Sequence, residues 1–483
     1  MPTIDELRAR HPVAEASADQ WAWARSLRDG LLAQVNERQR WLVKGLAEEP
    51  SEFAERVKLA AYSPITPLVA SRFSGAVWRR EATREMPESL KPFADAASID
   101  GLAVGEFAQR AAISALWYRW SVALLDRPAM PEPESVLTQA DAKAARLDKP
   151  YLVLFDAPNV LDWRFDRDGK ISYIRLRSPA YTREDGATVE EIREVTLAGI
   201  VTHRIVKIQG TEHLETLPIV GSSPALIAAN RLPIAVFQLD PADAMVARSP
   251  LQGALLAELR CFRLLADLIY DLWIAGHPTL LCWVRDELGR VGVGANKFIK
   301  LMPGEQNLEK EVIEWLEAAL PGLAHQFAAL KDAAEDVWRQ AGIRPIAETA
   351  APEANSGVSL AWQFETTEAH ALSSMAAAAE DFEWDALTLA ALDMGIPVDD
   401  KAIAVHYPKE FSLHTPERLL TRASSARMLY GPTHPVTVEL LRRAAAEMLD
   451  NVTAERWAEI ETAIEAGAYE PPVPEFGGGE GEA

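Results

Sequence analysis

The chain is poor in the residue types from which most catalytic and metal sites are built. It has two cysteines, Cys261 and Cys282, and nine histidines in 483 residues. Two cysteines make no disulfide framework, so both read as reduced, small core residues. No HExxH or CxxC pattern occurs, and the histidines are scattered. Long apolar runs are missing too: Glu258, Arg260, Arg263, Asp267 and Asp271 break up even the richest one, so no segment can span a bilayer. The first residues, MPTIDELRARHP, lack an apolar signal core, and export is not expected. Basic charge is short as well: 49 Lys and Arg stand against 71 Asp and Glu, for a net charge of −22. Affinity for nucleic acid comes from neutralising phosphates, so this balance excludes a conventional DNA binder. An acidic surface can still keep a passing polyanion from sticking, or can simply serve solubility.

What the chain does have is ordinary globular composition, 48% hydrophobic and 25% charged, and a pair of long amphipathic helices. The first is expected from about Leu251 to Ala275, with the stripe Leu251, Leu255, Leu259, Phe262, Ala266, Ile269, Trp273. The second is expected from about Leu323 to Ala341, with Leu323, Phe327, Leu330, Ala334, Val337, Ala341. Alternating steps of four and three put one apolar seam along each helix. Between them lies a compact insert with expected strands at Thr279–Val284 and Lys297–Leu301 and a helix at Glu305–Leu320.

Upstream, residues 19–46 read as one amphipathic helix, followed by a short helix near 52–61 and another over 66–78. Ile99–Leu125 reads as a helix closed by the Pro-rich stretch Arg127–Pro133. From Pro150 the pattern turns β-rich. Strands are expected at Tyr151–Phe155, Leu161–Phe165, Ile171–Leu176, Ile192–Leu197, Thr202–Ile208 and Leu232–Leu239, with a hairpin turn at Asp166–Lys170. A β-rich layer on the earlier helices makes an α+β class. After residues 345–357, which have no periodicity and whose charges, Glu348 and Glu353, are both acidic, come a long helix over 366–394, a strand at Ile403–Tyr407, and two or three helices to Gly467. Residues 470–483 hold four acids and no base, a composition that favours disorder. No internal repeat is visible.

Apparent motifs fail on detail. Gly289–Lys297 lacks the glycine before Lys297 and the hydroxyl residue after it that a phosphate loop needs, and a strand rather than a helix is expected to follow, against a dinucleotide fingerprint. Asp166-Arg167-Asp168-Gly169 lacks the third acid and the terminal glutamate of a calcium loop. Gly221-Ser222-Ser223-Pro224 has no nucleophile-elbow frame. Glu365, Glu368 and His370 miss the ExxH spacing that puts two metal ligands on one helical face. His203 and His213 read as structural. No catalytic, cofactor or metal residue is therefore expected, and the chain is not expected to be an enzyme. The competing reading, a cytosolic α+β enzyme with an unrecognised site around the strands at 151–239, has the missing motifs against it.

Several segments, in order, resemble the portal proteins of tailed bacteriophages. Pro150–Phe155 followed by Ala157–Arg164 is similar to a "PYLV…PA-x-x-I-x-(D/N)-W" segment of one branch of that family. Asn230–Phe237, leading into the helix that ends Ala275-Gly276-His277-Pro278-Thr279, is similar to its "xIPIVxF" strand and stem helix. Ser356–Leu360 is similar to its "SGxAL" element. The resemblance spans roughly 55–465. It implies a phage portal fold: a mixed α/β wing (1–250, plus the strand near 403–407), stem helices (251–275 outgoing, 323–342 returning), a small α/β clip (276–322), a tunnel loop (343–357), a long helix and wing strand (358–411), and a helical crown (412–469), before the acidic tail (470–483). Carried over, Glu348, Glu353, Asn355 and Ser356 are candidate DNA-facing residues of the tunnel loop. Leu255, Leu259, Phe262, Phe327, Leu330 and Val337 are candidate stem-packing residues. The family's partners are further copies of itself in a ring, commonly dodecameric, the double-stranded DNA that passes through, the terminase large subunit, major capsid and scaffolding proteins, and a head-completion or tail adaptor. It works in the virion at the portal vertex and in the host cytoplasm during assembly, not in a membrane. Another virion structural or adaptor subunit stays open as the alternative.

Overall fold

The computed structural model describes residues 2–46, 48–127, 149–239, 245, 249–276, 279–283, 299–301, 312–316, 322–342, 368–397, 402–408, 416–448 and 454–467. It separates into two compact units: residues 1–349 with 370–410, and residues 350–369 with 411–483.

The first unit begins with short helices, α1 (Ile4–Arg8), α2 (Pro12–Ala16), α3 (Ala18–Arg28), α4 (Val35–Trp41), α5 (Pro50–Leu59), α6 (Thr66–Val77), α7 (Lys91–Ala94) and α8 (Val104–Tyr118). The single helix expected over 19–46 is thus divided. Gly30 takes a left-handed φ of 65°, its N–H bonds back to the Leu27 carbonyl at 3.3 Å, and α3 stops there. Glycine is the residue that ends a helix in this way without a Cβ penalty. The expected helix over 99–125 is shorter than its apolar run. It ends at Tyr118, the chain reverses at Arg119 with φ 82°, and Trp120–Asp126 is a strand. No glycine or proline marks this junction, which is why the pattern reads through it.

Two antiparallel sheets follow. Strand β2 (Trp120–Asp126) lies between β11 (Ile234–Gln238) and β3 (Tyr151–Asp156), with Val122 opposite both Val236 and Phe155. Six of the seven β2 residues are buried, the pattern of a strand covered on both faces. A seven-stranded sheet runs β10-β8-β7-β5-β4, where β4 is Val160–Phe165, β5 Ile171–Arg177, β7 Thr188–Thr196, β8 Gly199–Ile208 and β10 Val220–Gly221. The short β6 (Tyr181–Thr182) joins β7, and β9 (Thr211–Thr216) joins β8. The expected hairpin is there: β4 pairs with β5, Gly169 has φ 77°, and the Asp166 carboxylate accepts the Asp168 and Lys170 N–H groups at 2.9 Å each. An Asx turn, not a cation, uses that carboxylate. Helix α1 seals one face by packing Leu7 against Leu161, Ile192 and Ile205.

Next come the outgoing helix, Leu251–Ala275, and the returning helix, Leu323–Gln340. Within the insert, Thr279–Trp283 (β12) pairs parallel with Ile299–Leu301 (β13) and antiparallel with Val312–Leu316 (β14). The helix expected over 305–320 is corrected here: its middle is a strand. The β-branched Val312 and Ile313, beside Trp315, suit a strand more than a short helix. The Gly289–Lys297 stretch and the Cys282 side chain lie outside what is described. The long helix, Glu368–Asp393, is buried on most of its sides by small and aromatic residues, with Phe382 stacked near Phe107 and Phe237. Strand β15 (Ala404–His406) pairs with β1 (Thr83–Glu85).

The second unit contains three described helices, Pro416–Tyr430, Pro435–Met448 and Ala454–Glu465, around Ala423, Leu441, Ala445 and Ile464.

Candidate functional site

The outgoing helix is rooted in the N-terminal helices by polar side chains, two of which, Glu258 and Arg56, are buried. Glu258 is 0% exposed. Its carboxylate accepts from the Tyr62 hydroxyl at 2.9 Å, the Thr66 N–H at 3.0 Å, the Ile65 N–H and the Thr66 hydroxyl. Ile65 and Thr66 begin α6, whose own N-cap side chain, isoleucine, offers no acceptor. Glu258 therefore caps α6 from another part of the chain and meets the positive end of its dipole. Burial is the largest influence on this carboxyl and raises its pKa, with the bonds from Thr66, Ile65 and Tyr62 opposing the rise. The same burial, with Glu258 alongside, pushes the neighbouring Cys261 thiol up to about 11, so it is an inert core thiol.

Further along, the buried Arg56 guanidinium joins Glu48 at 2.9 Å to Asp267 at 2.7 Å. Arg263 donates to the Trp41 carbonyl at 3.0 Å, and the Trp23 indole donates to the Leu255 carbonyl at 2.8 Å. Phe262 packs between the Trp23 and Tyr62 rings. One face of the outgoing helix, from Leu255 to Asp267, is thus fixed to α3, α4 and α5 and to the start of α6.

A different face meets the returning helix. Gly253 lies where a Cβ would come within 2.7 Å of Gln340 Oε1 and 3.1 Å of Gln340 Cβ, so the two helices approach closely at their base. Arg260 faces Asp336 at 3.8 Å, and Gln326 donates to Asp271 at 2.7 Å towards the far end. Of the candidate stem residues, Leu255, Phe262 and Val337 are buried, and Leu259 and Leu330 are partly buried. Phe327 is 50% exposed: next to it, Gln326 reaches the outgoing helix and the ring is left outward. Leu256 and Leu272 on the outgoing helix are exposed as well.

A second buried carboxylate fixes the long helix. Glu383, 0% exposed, receives both Arg84 Nε at 2.7 Å and Arg84 Nη2 at 2.9 Å, along with the Tyr407 hydroxyl. Burial, then Glu383, drives the Tyr407 hydroxyl well above its usual range. Gly105 leaves the space that Arg84 fills. This node ties together β1, α8, the long helix and the residue after β15.

The residues at these nodes are mostly ones that sequence patterning passes over. Glu258 is one of them: the spacing puts Leu259 on the stripe between Leu255 and Phe262 and counts Glu258 only as a charge that breaks the run. His203 is buried between Thr216 at 3.0 Å and Glu194 at 3.4 Å, His213 is exposed, and Ser223 caps the helix Pro224–Ala228. Among the described residues no group of three or more His, Cys, Asp or Glu side chains is placed to hold a metal, and no helix is long and apolar enough to cross a membrane. Glu348, Glu353, Asn355 and Ser356 lie outside the described residues, as does Glu365.

No family model matches the chain, and no curated protein matches it. Solved structures with a similar chain include the virion of a native gene transfer agent particle (13% identity, TM-score 0.36, covering 84% of this chain and 93% of that one). Two others are the neck of the native particle computed with C12 symmetry (13%, TM-score 0.37, 83% and 94%) and the neck of the empty particle computed with C6 symmetry (13%, TM-score 0.39, 84% and 93%).

Proposed function

We propose that this chain is the subunit of a ring-shaped, portal-type connector of a phage-like particle, through which double-stranded DNA passes, and that it performs no chemistry itself. The observation that carries the reading is the helical hairpin. Its base is held by buried Glu258 and Arg56, an insert whose described residues form a three-stranded sheet joins its two helices, and Leu256, Leu272 and Phe327 stay exposed on its flanks. A stalk so firmly rooted, with apolar side chains left uncovered, suits a helix pair that packs beside copies of itself. The segment resemblances at 150–164, 230–237 and 356–360 support the same reading. In it the hairpin is the stem, the insert is the clip that meets the terminase motor and later an adaptor, and 343–357 is the tunnel loop. DNA then moves past an acidic protein, in which each added copy brings a further −22. Screening limits that repulsion to residues within about 8–10 Å of the path.

Deletion of 345–356 tests the functional half of the proposal. The deleted chain is expected to assemble as the wild type does and to lose DNA packaging or retention in particles. Unchanged packaging would remove the tunnel-loop assignment and leave an adaptor role in its place.

A further inference from the structure

A cleft of about 830 Å³ opens in the first unit between α3, α4, the turn after β3 and the end of β5, with Glu190 of β7 in its wall. In a chain of net charge −22, it is lined by five arginines: Arg10, Arg25, Arg28, Arg40 and Arg177. Most acids in its wall pair with arginines of the same wall: Asp29 and Asp156 bind Arg28 at 2.9 and 3.0 Å and Glu37 comes within 3.9 Å of Arg40, while Glu190 binds Arg8 at 2.7 Å. Three guanidiniums remain under-neutralised. Arg10 has no hydrogen-bond or ion-pair partner among the described residues, Arg25 has one 3.4 Å contact to Asp29, and Arg177 comes no nearer to Glu190 than 4.0 Å. Burial is the main cause that lowers the proton affinity of Arg177; Arg10, Arg8 and Arg25 add to it and Glu190 opposes it. Trp21 also lines the cleft, and its buried indole N–H has no acceptor among the described residues.

We propose that this cleft binds an extended acidic segment of a partner polypeptide, whose carboxylates sit on Arg10, Arg25 and Arg177. Guanidinium forks pair well with carboxylates. Its volume falls in the range that encloses a ligand of several hundred daltons, far more than a lone phosphate fills. Duplex DNA is disfavoured because its phosphates need an open basic stripe, and here acids alternate with the arginines. A peptide can place carboxylates on the arginines and uncharged groups beside the acids between them, which a uniformly anionic sugar-phosphate chain cannot do. The proposal stands on the cleft alone and is independent of ring assembly.

The test is fluorescence anisotropy of a labelled oligoglutamate peptide with the full-length protein. Binding is expected, weakening by about tenfold or more as salt is raised past the point where the Debye length falls to a few ångströms. The double variant Arg10→Glu/Arg25→Glu changes side chains outside the core, and should lower affinity by at least about tenfold with an unchanged circular dichroism spectrum and melting temperature. Arg10→Lys/Arg25→Lys should retain part of it. The proposal is overturned by absence of peptide binding, by binding that the charge-reversed variant leaves intact, or by displacement of the peptide more readily by inorganic phosphate or a short DNA duplex than by unlabelled peptide.

Discussion

Glu258 carries opposed demands within one carboxylate. It must lose its hydration to sit in the core, and its charge is what holds Tyr62, Ile65 and Thr66. Desolvation prevails, so its native pKa lies above the ordinary value of 4.5. An acid with a raised native pKa binds its proton more tightly when folded than when unfolded. Its contribution is therefore fully present below about 4.5 and is lost as pH rises through the native value. Glu258→Gln removes the titration and turns one acceptor into a donor facing N–H groups, which should cost about 1–3 kcal/mol near neutral pH. The stability gap between wild type and Glu258→Gln should be widest in mild acid and shrink as pH rises. Urea denaturation of both proteins between mild acid and pH 8 measures it; a gap that grows with pH would contradict the assignment. The stripe 251, 255, 259, 262 is legible in the sequence, but the burial of Glu258 beside it is not. Its donors are not legible either, since Tyr62 lies 196 residues away and no local pattern encodes a contact of that range. Glu383 was less legible still, because it stands among Glu380, Asp381 and Asp385 on the same helix and no pattern singles out the one that is buried.

At the scale of elements, periodicity located the helices best where both ends carry punctuation. The outgoing helix spans Leu251–Ala275 as its spacing predicts, between Pro250 and Gly276. Junctions without punctuation misled: nothing local marks Arg119, and the acid-rich stretch around Val312–Leu316 reads as a helix until pairing with β12 makes it a strand. Tertiary pairing overrides propensity in such short elements. The hairpin offers its own test. An exposed helical glycine replaced by a larger residue usually gains about 0.5–1 kcal/mol. At Gly253 the new side chain would run into Gln340, whose Cβ is already 3.1 Å from the added atom. Gly253→Leu is therefore expected to destabilise the first unit by about 1–3 kcal/mol, seen as a lower melting temperature; a gain would mean that the helices do not meet closely at their base.

At the scale of the whole molecule, the described residues leave several large apolar side chains uncovered, and on the helix pair these are Phe327, Leu256 and Leu272. The spacing places Phe327 on the apolar seam of the returning helix, yet the outgoing helix of the same chain leaves it half exposed. In the proposed ring a neighbouring stem covers it. Phe327→Asp should then fold normally, within about 0.5 kcal/mol of wild type as for other surface changes, and fail to assemble, because assembly would bury an unpaired charge. Normal assembly of a normally folded Phe327→Asp protein would place the subunit contacts elsewhere.

The most direct measurement is the native mass of the purified full-length chain across micromolar concentrations, with electron microscopy of the same sample. A ring-forming connector predicts one closed multiple of the 53.1 kDa subunit, visible as annular particles with a central channel. A stable monomer at every concentration and under every assembly condition would contradict it.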